Sequence, residues 1–110
     1  MHRLCRINID DREKIDLELK VFIEKLKKKF PISSIYLYGS FVTGDIHEGS
    51  DIDLIIVGDF KERFFERIGL IMELTNLPIE PLVYTEEEFR IMIEQENPFI
   101  LEILKYAKML

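Results

Sequence analysis

A chain of 110 residues has room for a single domain and one hydrophobic core. Its 47% hydrophobic and 33% charged content is that of an ordinary globular protein and argues against intrinsic disorder. The net charge of −6 argues against a generic nucleic-acid binder, whose footprint is a basic face.

The aliphatic run Leu54-Ile55-Ile56-Val57 falls far short of the roughly 20 residues needed to cross a bilayer. Arg3, Arg6, Asp10 and Asp11 interrupt the N-terminus before any apolar stretch develops, so no signal peptide is expected. The single cysteine, Cys5, excludes an intramolecular disulfide. A cytoplasmic protein without a membrane segment is the expectation. Charge is unevenly spread. Residues 1–30 carry nine Lys/Arg against six acids, whereas residues 31–60 carry Asp45, Glu48, Asp51, Asp53 and Asp59 with no Lys or Arg. Such a segment is either a solvated loop or a place for a cation, and composition does not choose.

In chain order, Asp10 and Glu13 have the spacing of a capping box. Ile15, Leu19, Phe22, Ile23, Leu26 and Phe30 then recur at three and four, one apolar stripe on a helix running to about Lys29. Lys27-Lys28-Lys29 suits the negative end of the helix dipole, and Pro31 stops the helix. Ser34–Tyr38 reads as a strand broken by Gly39-Ser40. Asp51–Val57 reads as a second strand, its later half apolar on both faces and therefore covered on both. Arg63–Thr75 reads as a helix with Phe64, Ile68, Ile71 and Met72 buried. Ile79–Tyr84 reads as a third strand entered through Pro78. Thr85-Glu86-Glu87-Glu88 is a second capping box, opening a helix to about Glu96. Asn97-Pro98 caps a last helix from Phe99 to about Met109. The order predicts an α/β (α+β) fold, a small mixed sheet with helices packed on it, as one domain over 1–110.

Three features carry chemistry. Gly39-Ser40 follows a strand directly, where glycine lets a ligand approach the backbone and the next residues can open a short helix. Asp51-Ile52-Asp53 heads an apolar strand. Alternation sends both carboxylates to one face, about 7 Å apart at Cα, where they repel unless a cation such as Mg²⁺ lies between them. Glu80 is the lone charge in Ile79-Glu80-Pro81-Leu82-Val83. It is either a solvent-facing edge glutamate, as Pro81 suggests, or the third carboxylate of a metal cage with Asp51 and Asp53.

Gly39-Ser40, ten intervening residues and Asp51-Ile52-Asp53 together resemble the signature of the DNA polymerase β-like nucleotidyltransferases. Leu37-Tyr38-Gly39-Ser40-Phe41, Gly44, Ser50–Leu54 and the strand running into Tyr84–Phe89 are most similar to their minimal prokaryotic members. The resemblance covers about residues 33–90. It implies the nucleotidyltransferase fold, with Gly39 and Ser40 binding the triphosphate and Asp51 and Asp53 holding two Mg²⁺ ions. Glu80 stands where the family usually has a third acid, often Asp. Many small relatives have Arg four residues after the motif glycine, where this chain has Thr43. The missing guanidinium would either weaken triphosphate binding or leave that role to a partner or to a lysine elsewhere.

The activity implied is transfer of a nucleoside monophosphate, AMP from ATP, to a hydroxyl. Small relatives pair with HEPN-domain proteins as toxin–antitoxin modules, which makes a partner protein the expected acceptor. The alternative is a catalytically weak or inactive module that neutralises its partner by contact. His47, His2 and Cys5 are read as bland, and Ser40 has no histidine partner at a hydrolase spacing. The last helix is rich in apolar residues. Phe99, Ile100, Ile103, Leu104 and Ala107 supply its core stripe, leaving Leu101, Tyr106 and Leu110 for self-association or a partner.

Overall fold

The computed structural model describes residues 12–44 and 50–110. Asp10, Cys5, His2 and His47 lie outside the described residues, and so do the first half of the expected capping box and the histidine of the Ser40–Asp51 loop. Helix α1 spans Arg12–Lys29 and buries Ile15, Leu19, Phe22 and Leu26, the stripe that its spacing dictates. Phe30 and Pro31 turn the chain into β1, Ile32–Tyr38, two residues before the expected start. The short helix α2, Ser40–Thr43, follows, and then β2, Ile52–Gly58.

Helix α3 covers Phe64–Met72 and β3 covers Ile79–Thr85. Helix α4, Glu86–Glu94, opens on the predicted box: the Thr85 hydroxyl accepts from the Glu88 N–H at 3.1 Å and Glu88 Oε1 accepts from the Thr85 N–H at 2.9 Å. Helix α5, Pro98–Tyr106, is capped by Asn97 Oδ1, which accepts from the Ile100 N–H at 3.2 Å.

The sheet has the order β3-β2-β1-β4, with β4 formed by Lys108–Met109. β1 is antiparallel to β2 and to β4, and β2 is parallel to β3. The sheet is therefore mixed, as the sequence predicts. Strand alternation divides the core in two. Ile35, Leu37, Ile52, Leu54, Ile56, Ile79 and Val83 pack with the α1 stripe, Phe41 and Ile71. On the other face Ile55 and Val57 pack with Phe89, Ile100 and Ile103 of α4 and α5. There the Phe89 ring stacks on Tyr36 and Tyr84, at centroid distances of 5.7 and 6.4 Å. β2 is central and covered on both sides, which explains its two-faced apolar half.

Two expectations are corrected. Helix α3 ends at Met72 rather than Thr75, and Met72 is exposed; the residues it buries are Ile71 and, unexpectedly, Arg67. Helix α5 ends at Tyr106 because the last residues pair with the open edge of β1. Ala107 turns extended, Lys108 and Met109 register with Leu37 and Tyr36, and the Leu110 N–H donates to the Ile35 carbonyl at 2.9 Å. Leu110 thus packs against the first core instead of lying on a free helix face, whereas Phe99, placed in the stripe, is exposed. Among the described residues no helix is long and apolar enough to cross a membrane.

Candidate functional site

The candidate site is assembled at the end of the sheet where β1 finishes and β2 and β3 begin. Register makes it: Tyr38 lies opposite Asp53, and Asp53 lies opposite Glu80. Residues directly opposite share a face, so a phenol and two carboxylates form one row across three strands. Asp51, two residues before Asp53, is exposed and adds its charge to the same place. The structure thus brings Asp51, Asp53 and Glu80 into one electrostatic neighbourhood. β3 is an edge strand, as Pro81 suggests, and Glu80 is exposed on it.

Gly39 faces this row. It has φ 76° and ψ −149°, a conformation that only glycine adopts without strain. A β-carbon built on it would also run into Asp53 Oδ2. The glycine is therefore required by its own backbone, and a side chain in its place would have to push the Asp53 carboxylate aside. Ser40 then starts α2, where the Val42 and Thr43 N–H groups both donate to the Gly39 carbonyl, at 3.0 and 3.1 Å. Gly44 closes this turn in the left-handed region, φ 85°, its N–H donating to the Ser40 carbonyl at 3.0 Å. Phe41 is buried and pins the turn to the core.

Burial, then the charges of Glu80 and Asp51, push the Asp53 carboxyl up to about 6. Burial, followed by Asp53 and Glu80, pushes the Tyr38 phenol up to about 12. The site is thus an oxygen-only, negatively charged donor set whose central carboxylate holds its proton more tightly than usual. A hard divalent cation fits that chemistry, since it takes carboxylate oxygens and relieves their repulsion. Among the described residues no three His, Cys, Asp or Glu side chains form a ready-made cage.

The nucleotidyltransferase domain family matches residues 19–108. The chain belongs to the nucleotidyltransferase family. It is 49% identical over 76 residues to a Methanocaldococcus jannaschii protein named as a candidate protein adenylyltransferase; the match covers 64% of this chain and 74% of that one. A crystal structure of a candidate nucleotidyltransferase from Sulfolobus solfataricus shares the fold with a TM-score of 0.60 and 23% identity, over 73% of this chain and 75% of that one. Members of this enzyme family act on nucleotides and generally use divalent metal ions.

Two residues of this nucleotidyltransferase escape sequence reasoning about single roles. Tyr38 is legible as part of the motif, but its place beside Asp53 follows from β1–β2 pairing. Arg67 lies three residues after Phe64 and four before Ile71, a stripe position that gives no sign of a buried guanidinium. Its side chain is 7% exposed. Nε donates to the Glu62 carbonyl at 2.6 Å, and Nη1 donates to the Val83 carbonyl at 3.2 Å and to Glu88 Oε1 at 2.7 Å. One side chain therefore joins the α3 entry, the edge strand that carries Glu80 and the α4 cap.

Arg67→Met is expected to lower stability by about 2–3 kcal/mol, because it leaves buried acceptors without their donor. Urea unfolding at neutral pH measures this. Arg67, through its hydrogen bonds, holds the Glu88 carboxyl below its ordinary value. A depressed acid contributes stability above its unfolded-state pKa and loses it as pH falls through the folded-state one. The gap between wild type and Arg67→Met should therefore narrow in acid.

Proposed function

We propose that this nucleotidyltransferase works in the cytoplasm, transferring AMP from ATP to a hydroxyl of a partner protein. Asp51, Asp53 and Glu80 would hold two Mg²⁺ ions. The observation that carries the reading is the row in which Asp53 faces Glu80 while Gly39 is packed against Asp53, since triphosphate turn and carboxylates then share one site. Bound divalent ions would supply the positive charge that stabilises the entering and leaving oxygens of an in-line phosphoryl transfer. Gly39 and Ser40 would seat the triphosphate, and Glu80, exposed at the edge, would accept the proton of the attacking hydroxyl.

The name of the Methanocaldococcus relative supports a protein acceptor. We take the acceptor to be a HEPN-domain toxin, with this chain as its antitoxin. Phe99 and Tyr106, the latter 66% exposed, leave apolar surface on α5 for that partner or a second copy. The test incubates the protein and the product of its neighbouring reading frame with Mg²⁺ and ATP labelled at the α-phosphate. Label on a partner tyrosine, and weaker association by light scattering in Phe99→Glu/Tyr106→Glu, is the expected result. If Mg²⁺–ATP produces no calorimetric heat while the partner still binds, neutralisation is by contact alone and the transferase reading fails.

A further inference from the structure

Helix α1 carries apolar residues on two sides, and the fold uses only one of them. Ile15, Leu19, Phe22 and Leu26 are buried against the sheet. Leu17 and Val21, one turn apart on the other side, remain 64% and 52% exposed. They sit on a longer strip: Lys14, Leu17, Val21, Glu24 and Lys28 recur at spacings of three and four, and all five are exposed. That alternation of three and four is the spacing of a seam between two paired helices.

We propose that this strip is where two copies of the chain associate, α1 against α1, antiparallel about a two-fold axis. The inference is independent of the nucleotide site. Charge selects both the occupant and its direction. In an antiparallel pair whose two-fold axis passes beside Leu19, Leu17 of each copy meets Val21 of the other. One layer further out Lys14 meets Glu24, and on the flank Glu13 meets Lys27. The two-fold repeats each contact, so four apolar side chains are enclosed by four pairs of opposite charge. The same arrangement lays the basic last turn, Lys27 to Lys29, along the first turn that carries Glu13. Lys20 and Glu18 approach their own counterparts at the axis, but each has an opposite charge four residues away on its own helix, Glu24 and Lys14.

A parallel pair would set like on like. Lys14 would face Lys14, Glu24 would face Glu24, Lys28 would face Lys28, and Glu13 would lie beside Glu18. The pattern that repels one orientation closes the other, which is what a self-complementary surface requires. Two apolar residues per copy on an 18-residue helix place the contact at the small end of interface sizes, so the pair is weak and reversible.

Sedimentation velocity over a wide range of protein concentration tests the proposal. The wild-type chain should pass from monomer to dimer as concentration rises. Leu17→Glu/Val21→Glu should raise the dissociation constant more than about tenfold and leave the melting temperature of the dilute monomer unchanged, because both side chains lie outside the core. Lys14→Glu sets two carboxylates against Glu24 and should raise the constant about fivefold. Lys14→Glu/Glu24→Lys restores both pairs with their signs reversed and should return it to the wild-type value. If the double glutamate variant does not fold, the charge-reversal series decides alone. A wild-type chain that stays monomeric throughout, a dimer that survives Leu17→Glu/Val21→Glu, or a loss in Lys14→Glu that the reversed pair does not recover overturns the proposal. A dimer abolished only by Phe99→Glu/Tyr106→Glu also overturns it and assigns self-association to α5.

Discussion

The double substitution Asp51→Asn/Asp53→Asn is expected to abolish nucleotide transfer, by about a thousandfold or more, and to stabilise the metal-free protein. The first effect follows from the several kcal/mol of transition-state stabilisation that bound divalent ions supply. The second follows from the Asp53 carboxyl, held up to about 6 by burial and by Glu80 and Asp51. An acid whose pKa is higher folded than unfolded binds its proton more tightly in the folded state. Stability from that proton is fully present below about pH 4 and is lost as pH rises through about 6.

Above pH 6 the wild-type carboxylate is a burden that asparagine removes. The shift sets a ceiling of about 3 kcal/mol, and solvent screening at this half-buried position reduces it to about 1 kcal/mol. A gain of that size raises the melting temperature by several degrees in a domain this small. Melts with EDTA at pH 4 and pH 7.5 check it: the advantage of the variant should appear at the higher pH only. Adding Mg²⁺ should raise the wild-type melting temperature and not that of the variant. Transfer retained by the double variant would sink the metal-site assignment.

Gly39→Val is expected to lower transfer by more than a hundredfold and to weaken ATP binding far more than Ser40→Ala. Valine at φ 76° and ψ −149° is strained by about 1–3 kcal/mol, and its β-carbon occupies the space of Asp53 Oδ2. Either the turn moves or the carboxylate does, and both belong to the proposed site. Ser40→Ala removes one hydroxyl, worth about 0.5–1.5 kcal/mol. Gly39→Ala carries the same positive-φ strain and the same Cβ with less bulk than valine. A bare methyl already meets Asp53, so alanine should damage transfer nearly as much as valine, whereas a residue needed only to let phosphate approach would tolerate alanine better. Titration with Mg²⁺–ATP and transfer rates for the three variants give the comparison. Equal losses for Gly39→Ala and Ser40→Ala would show that the glycine is not kept for the sake of Asp53.

Local features of this protein are legible in the order of its residues. The α1 stripe, the two-faced apolar half of β2, the Thr85–Glu88 box and the Asn97 cap depend on contacts within about four residues or on one periodicity, and each forms as its spacing requires. Gly39 and the Asp51-Ile52-Asp53 alternation are readable for the same reason, as is Glu80 as a lone charge on an edge strand. Three matters lie beyond that reach. That Asp53 faces Glu80 is a register between strands 27 residues apart, set by which rows of side chains bury together. That the chain leaves α5 at Ala107 reflects the unpaired edge of β1, a partner that no helical pattern near residue 107 encodes. That Arg67 is buried, and that Arg12 stands over Phe41, depends on acceptors and a ring supplied by distant segments. Short-range spacing in the chain is enough to set the elements and the chemistry each carries. Which of those charges meet is left to the folded molecule, because non-local packing and the strand edges still to be satisfied decide it.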